Sequence, residues 1–250
     1  MNMKFICFLG MCASCLSAHF GVVMPSDSSV GEDNAKMQIT YKFSHPFEQN
    51  MMNLEMPNEI GVFNGEEKIA FSQNLTAKKD GENQYFTANF EAKEPKIYQF
   101  YMDPKPYFEP SEDCFIRHLT KSVVDAYGYN EDWDKPIGLK AEIIPLTRPY
   151  GLYTGNEFRA KVLYKGAVLK NAVVEVEYEN TAGLKAPSED HITQEVKTDE
   201  NGIFSFVMPK AGWWGFAALS EDDEKISRDG KEYPVEIGAV IWVQTKDYQK

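Results

Sequence analysis

The chain has 250 residues, with 38 acidic against 26 basic side chains and a formal net charge of −12. That balance makes a poor surface for nucleic acid or anionic lipid and a mild attractant for cations. The length allows one large core or two modest ones, and of the four cysteines only Cys114 lies beyond residue 15, so packing rather than disulfides must supply the stability.

The chain opens on MNMKFICFLGMCASCLSA, which has the layout of a secretory leader. Lys4 gives a positive start, Phe5 to Cys15 carry no charge, and Leu16-Ser17-Ala18 offers small residues for cleavage. The apolar run is shorter than the roughly 20 residues a membrane span needs. Cys12 and Cys15 are the candidates for lipidation, but neither follows a good small-residue lipobox. Cleavage after Ala18 is therefore expected, with residues 1–18 as signal peptide and His19 as the mature N-terminus. No later segment is apolar enough for a span, so a soluble exported protein, periplasmic in location, is expected.

The remainder reads as all-β. Lys36 to Phe43 alternates Met37, Ile39, Tyr41 and Phe43 with polar neighbours, as a half-buried strand should. Glu59 to Phe71 reads as two short strands around the turn signal Asn64-Gly65. QYFTANFEA and PKIYQFYMD continue the pattern, and the three prolines of DPKPYFEPSED, Asp103 to Asp113, predict a long loop. Cys114 to Tyr129 reads either as a strand or as a strand running into a helix. At most one or two short helices are expected, one of them within residues 118–128. Asn130 to Gly138 is charged, non-periodic and broken by Pro and Gly, which places a domain boundary there and gives domains of 19–137 and 138–250.

In the second half GLKAEIIPL, NEFRAKVLYKG, AVVEVEYEN, HITQEVKTD, GIFSFVMP, GWWGFAAL and VEIGAVIWVQ are seven candidate strands with turn residues between them. That is the pattern of an immunoglobulin-like sandwich. The turn Thr198 to Gly202 and the following Ile203 to Phe206 resemble the hairpin of prealbumin-like and carboxypeptidase-regulatory-type sandwiches. Asx side chains and Gly account for that turn without a calcium ion, because no bidentate Glu follows at the spacing such a loop needs. Trp213 and Trp214 read as core and rim aromatics.

No nucleophile elbow, HExxH, phosphate loop or dinucleotide fingerprint is present, so an enzyme is not expected. Cys114 has no adjacent base and reads as a small buried residue. The histidines are the candidate chemistry. A mature His19 would join its α-amine to its imidazole as a nitrogen chelate, suited to Ni(II) or Cu(II), with Co(II) and Zn(II) also served by imidazole. His45 stands beside Glu48 and ahead of Met51, Met52 and Met56, and His118 lies in FIRHLTK. On residues alone two readings stand: a metal site collecting His19, His45 and His118 with Glu48, or a loop cap, a core histidine and a frayed end. His191 reads as a solvated loop residue.

Several stretches together, AHFGVVMPS, HPFE, YQFYMDPKPYFEPSED, FIRHLTK…VVDAYGY, GLKAEIIPLTRPYGLYTGN and TDENGIFSFVMPKAGWWGFAAL, resemble bacterial exported proteins described as periplasmic components of cobalt/nickel uptake systems of the energy-coupling-factor type. The similarity runs from about His19 to Val243. His19, His45, Glu48 and His118 match that family's segments, whereas Cys114 does not. The resemblance implies a divalent metal, nickel or cobalt first, held in the N-terminal domain and supplied to membrane transporter subunits. The acidic charge and the lack of a later apolar span lead us to expect no nucleic-acid partner and no direct membrane insertion. The rival readings are a structural or adhesive sandwich without a ligand and, from NMMNLEM, a copper-binding periplasmic protein.

Overall fold

A computed structural model describes residues 19–71 and 74–249; the leader, with Cys12 and Cys15, lies outside them. In chain order the first half holds β1 (Phe20–Pro25), β2 (Ser29–Val30), β3 (Lys36–His45), β4 (Asn50–Met52), β5 (Glu59–Phe63), β6 (Lys68–Ala70), β7 (Thr76–Asp80), β8 (Asn83–Glu91), β9 (Ile97–Asp103), β10 (Tyr107–Glu109) and β11 (Cys114–Ala126). One sheet runs β1-β3-β8-β7 with β4 paired to β3, and a second contains the run β11-β9-β5-β6. Their facing residues, among them Ile39, Tyr41, Phe100 and Val124, form one buried core. In β3 the expected alternation is seen, with Met37, Ile39, Tyr41 and Phe43 all buried.

Asn64 and Gly65 begin a four-residue turn between β5 and β6, where Gly65 takes a φ of 93°. Two sequence expectations give way here. Residues 118–128 form no helix, because β11 runs as strand to Ala126. Val123 and Val124 favour the pleated surface, and all but one of its residues are buried because layers cover both faces. The Asp103–Asp113 loop also contains a strand, β10, whose Tyr107, Phe108 and Glu109 pair with Ile116, Phe115 and Cys114. Phe108 and Phe115 rings 5.1 Å apart give that short pairing its apolar anchor.

The second half holds β12 (Ala141–Pro145), β13 (Leu152–Tyr153), β14 (Glu157–Tyr164), β15 (Ala167–Val168), β16 (Val173–Tyr178), β17 (Gln194–Lys197), β18 (Ile203–Val207), β19 (Gly212–Arg228) and β20 (Lys231–Lys246). All seven expected strands are present. A sheet of β12-β14-β15 with β18 on β14 packs across the core from β17-β16-β19-β20, burying Phe158, Val162, Val176, Phe216 and Ile241. The fold is all-β; among the described residues the one helical turn is the 3-10 segment Glu189–His191. Trp214 is buried, donating Nε1–H to the Lys210 carbonyl at 2.9 Å, and Trp213 is partly buried.

The Thr198–Gly202 turn does not close a hairpin. It carries the chain from β17 in the large sheet to β18 in the opposite one. Asp199 Oδ1 accepts the N–H groups of Asn201 and Ile203, both at 2.8 Å, so its carboxylate is spent on shaping the crossing.

The halves share a sheet. Residues Phe115–Ser122 of β11 pair in parallel with Val235–Trp242 of β20, giving an 11-stranded sheet through both. The long β19–β20 hairpin turns at Asp229 and Gly230, with φ of 51° and 80°. Two successive positive φ values are the signature of the tight turn that Asp-Gly favours. Behind β11, Lys121 Nζ meets Glu142 at 2.7 Å with both side chains buried. Glu142 also accepts N–H groups from Ile137, Gly138 and Leu139, which pins the strandless 127–140 segment to the sheet.

Candidate functional site

The start of β1, the end of β3 and the short β10 bring one group of side chains together. Antiparallel pairing sets Phe20 opposite Ser44, so His19 sits at the same sheet end as His45. Their ring centroids are 4.5 Å apart. His19 also stacks on Phe43 at 5.7 Å, and its Nε2 lies 3.1 Å from Glu109 Oε2 on β10. Burial first, and the neighbouring His45 second, lower the His19 pKa to about 4 against the pull of Glu109, so the ring is neutral at neutral pH. Burial pushes Glu109 upward, but hydrogen bonds from Ser111 and the contact with His19 outweigh it and leave its carboxyl below the usual range.

His118 reaches the same group from β11 behind Phe43, with ring centroids 6.0 Å apart. It is fully buried, in space made by two glycines. A Cβ on Gly238 would stand 2.5 Å from its Cδ2, and one on Gly21 would collide with Thr120 Oγ1. The Gly21 N–H points at His118 Nδ1 across 3.4 Å. That contact makes Nδ1 the acceptor and puts the proton on Nε2. Nε2 makes no hydrogen bond, although Glu236 Oε1 stands 3.5 Å away. The separation is too long for a good hydrogen bond, and we read the pair as a weak electrostatic contact.

Glu48 follows His45 by three residues. It is exposed in the turn after β3 and borders a recess with Asn180 and Lys185. Met51 and Met52 sit in β4 opposite Ser44 and Phe43, beside His45. His191 lies in the exposed 3-10 turn. The structure thus gathers His19, His45 and His118 and adds Glu109, Phe43 and Tyr107. Glu109 was missed because the three prolines around it made the segment look like loop; the signal available was the aromatic pair Tyr107-Phe108 next to it.

Among the described residues, three His, Cys, Asp or Glu ligand atoms come within 4.8 Å of one another only at Asp222, Asp223 and Glu224. Those carboxylates are already engaged in ion pairs with Lys140 and Lys165. The histidine group is a more open arrangement of two imidazoles and a carboxylate, a donor set suited to borderline divalent ions.

A row of carboxylates continues from this group along the seam between the halves. Burial, then Glu236 and Glu177, raise Glu175 from 4.5 to about 8; burial likewise raises Glu177 to about 7. A carboxylate raised in the folded state contributes stability that is complete below its unfolded pKa and is lost as pH rises through the folded one. The expected result is a protein less stable at about pH 9 than at about pH 5, with Glu175→Gln recovering on the order of a few kcal/mol at the higher pH and little at the lower. Thermal unfolding across that range checks it, and equal gains at both ends would contradict the assignment.

Cys114 is buried, its Sγ 3.8 Å from Glu112. Burial, with Glu112 second, pushes its thiol up to about 12, far from a reactive or ligating thiolate. Cys114→Ala is expected to leave metal affinity within a few-fold, and a titration showing a much larger loss in the folded variant would identify a missed ligand.

The family profile described as "Domain of unknown function (DUF4198)" matches residues 16–222. The chain belongs to the DUF4198 family. No curated protein matches the sequence. Among solved structures this DUF4198 chain is similar to the Yersinia pseudotuberculosis adhesin InvE, at 10% identity and a TM-score of 0.26, over 88% of this chain and 58% of that one. It is also similar to the fibronectin(III)-like modules of Clostridium thermocellum CbhA, at 9% identity and a TM-score of 0.21, over 92% of this chain and 99% of theirs. At this level the likeness bears on neither ligand nor activity. Among the described residues, no helix is long and apolar enough to cross a membrane.

Proposed function

We propose that this DUF4198 chain is an exported, non-enzymatic protein that binds a divalent transition metal, nickel or cobalt first, and supplies it to a membrane importer. The observation that carries the reading is the meeting of His19 and His45, ring centroids 4.5 Å apart, with Glu109 3.1 Å from His19. Two imidazoles and a carboxylate form a donor set suited to such an ion. Cleavage after Ala18 would add the His19 amine as a fourth. His118 plays a different part: with its proton on Nε2 it walls the site from behind Phe43. The resemblance to cobalt/nickel uptake components supports the cargo and the importer, and the net charge of −12 suits a cation carrier.

Titration calorimetry with Ni(II), Co(II), Cu(II) and Zn(II) tests this. Stoichiometric binding, with Ni(II) or Co(II) retained at physiological competition, is expected. Cu(I) preference with involvement of Met51 would favour the copper reading. No saturable binding of any metal would leave the chain a structural or adhesive sandwich.

A further inference from the structure

We infer that a cleft at the open end of the N-terminal sandwich binds a small aromatic carboxylate, its apolar body between Phe43, Leu54 and Ile116 and its charge at Arg228. The cleft encloses about 360 Å³, within the range of small-molecule sites. Its walls belong to both sheets and are held in place by the core, since Phe43, Leu54 and Ile116 are all buried. Phe108 adds a flat surface and Pro104 and Pro106 stiffen the rim.

The charge at the mouth runs against that of the whole molecule. Arg228 and Lys105 line the cleft with Glu55, in a chain of net charge −12. Lys105 pairs with Glu55 at 3.4 Å, and Arg228 is the other cation of the rim. Its guanidinium lies 4.2 Å from the Phe108 ring centroid. Its ionic contact is Nε to the exposed Asp229 at 3.6 Å. A guanidinium already stacked on an aromatic loses little freedom on binding, and its planar fork matches a carboxylate. His118 also lines the cleft, but its Nε2 lies 3.5 Å from Glu236, which is not among the cleft residues, so recognition is left to Arg228 and the apolar walls. Arg228 comes from the β19–β20 hairpin, so the cleft is completed only when the two halves share their sheet.

The test is calorimetry on the purified protein with phenylacetate and indole-3-acetate, and with phenylacetamide as the neutral control. A chelator is present throughout, which keeps the outcome separate from the metal reading. Saturable binding of the carboxylates is expected, weakened roughly tenfold or more by Arg228→Gln, with the amide weaker by a similar factor. Leu54→Trp, which fills the cleft, is expected to abolish binding, and Arg228→Gln keeps the test valid should the Trp variant not fold. No saturable binding at millimolar carboxylate, equal binding of the amide, or binding untouched by Arg228→Gln would overturn the proposal.

Discussion

Glu142→Gln is expected to lower the unfolding free energy by about 3–5 kcal/mol at neutral pH, the cost typical of leaving a buried charge without its partner. The substitution keeps the shape but turns one acceptor oxygen into an amide donor, so either the Ile137 N–H or the Gly138 and Leu139 N–H groups lose their acceptor, and the loss combines that cost with the unpaired charge of the Lys121 ammonium. That ammonium is fully buried and its pKa is already lowered by burial, with Glu142 pulling it back up. A lysine depressed in the folded state binds fewer protons there than when unfolded, so the penalty should shrink as pH rises toward the ordinary lysine range. Adding Lys121→Met to the variant should restore part of the stability, because a buried methionine carries no desolvation cost. Urea unfolding at two pH values measures both effects. A loss below about 1 kcal/mol would mean that water or a rotated side chain rescues the ammonium.

The metal site should respond unequally to its three histidines. Removing an outer partner of a metal site commonly costs ten- to a hundredfold in affinity, so His19→Ala and His45→Ala are expected to lose more than about a hundredfold each. His118→Ala should lose no more than about tenfold, because its Nδ1 is turned toward the Gly21 N–H and its ring is separated from His19 by Phe43. Titrations of the three variants, with circular dichroism as a folding control, decide this. A His118→Ala loss as deep as the other two would make His118 a direct ligand, bound through Nε2 after a shift of its proton.

Much of this was legible in the residues. The alternation in β3, the Asn64-Gly65 turn and all seven strands of the second half follow from patterning and turn chemistry alone. What patterning could not show was the sharing of a sheet. β11 is covered on both faces, and residues 118–126 bury His118, Thr120, Lys121, Ser122 and Asp125 among apolar neighbours, so neither alternation nor an apolar run marked them as strand and they left room for a helix. The partner that settles them as strand, β20, lies more than a hundred residues away along the chain. The extent of β19 and β20 is hidden for another reason: residues 221–234 are mostly polar and lack alternation, although they pair locally within the hairpin. At the site, sequence grouped the histidines by scarcity. Glu48 was included because it follows His45 by three residues, and Glu109 was passed over because its contact with His19 spans ninety residues of chain.

The central claim is a metal held between His19 and His45. Its most direct test is an anomalous-scattering map from crystals of the metal-loaded protein, collected at the nickel or cobalt edge. The account predicts a peak within about 2.0–2.2 Å of an imidazole nitrogen of both residues, with a Glu109 oxygen alongside. A peak at Asp222–Glu224 instead, or none near His19, would contradict it.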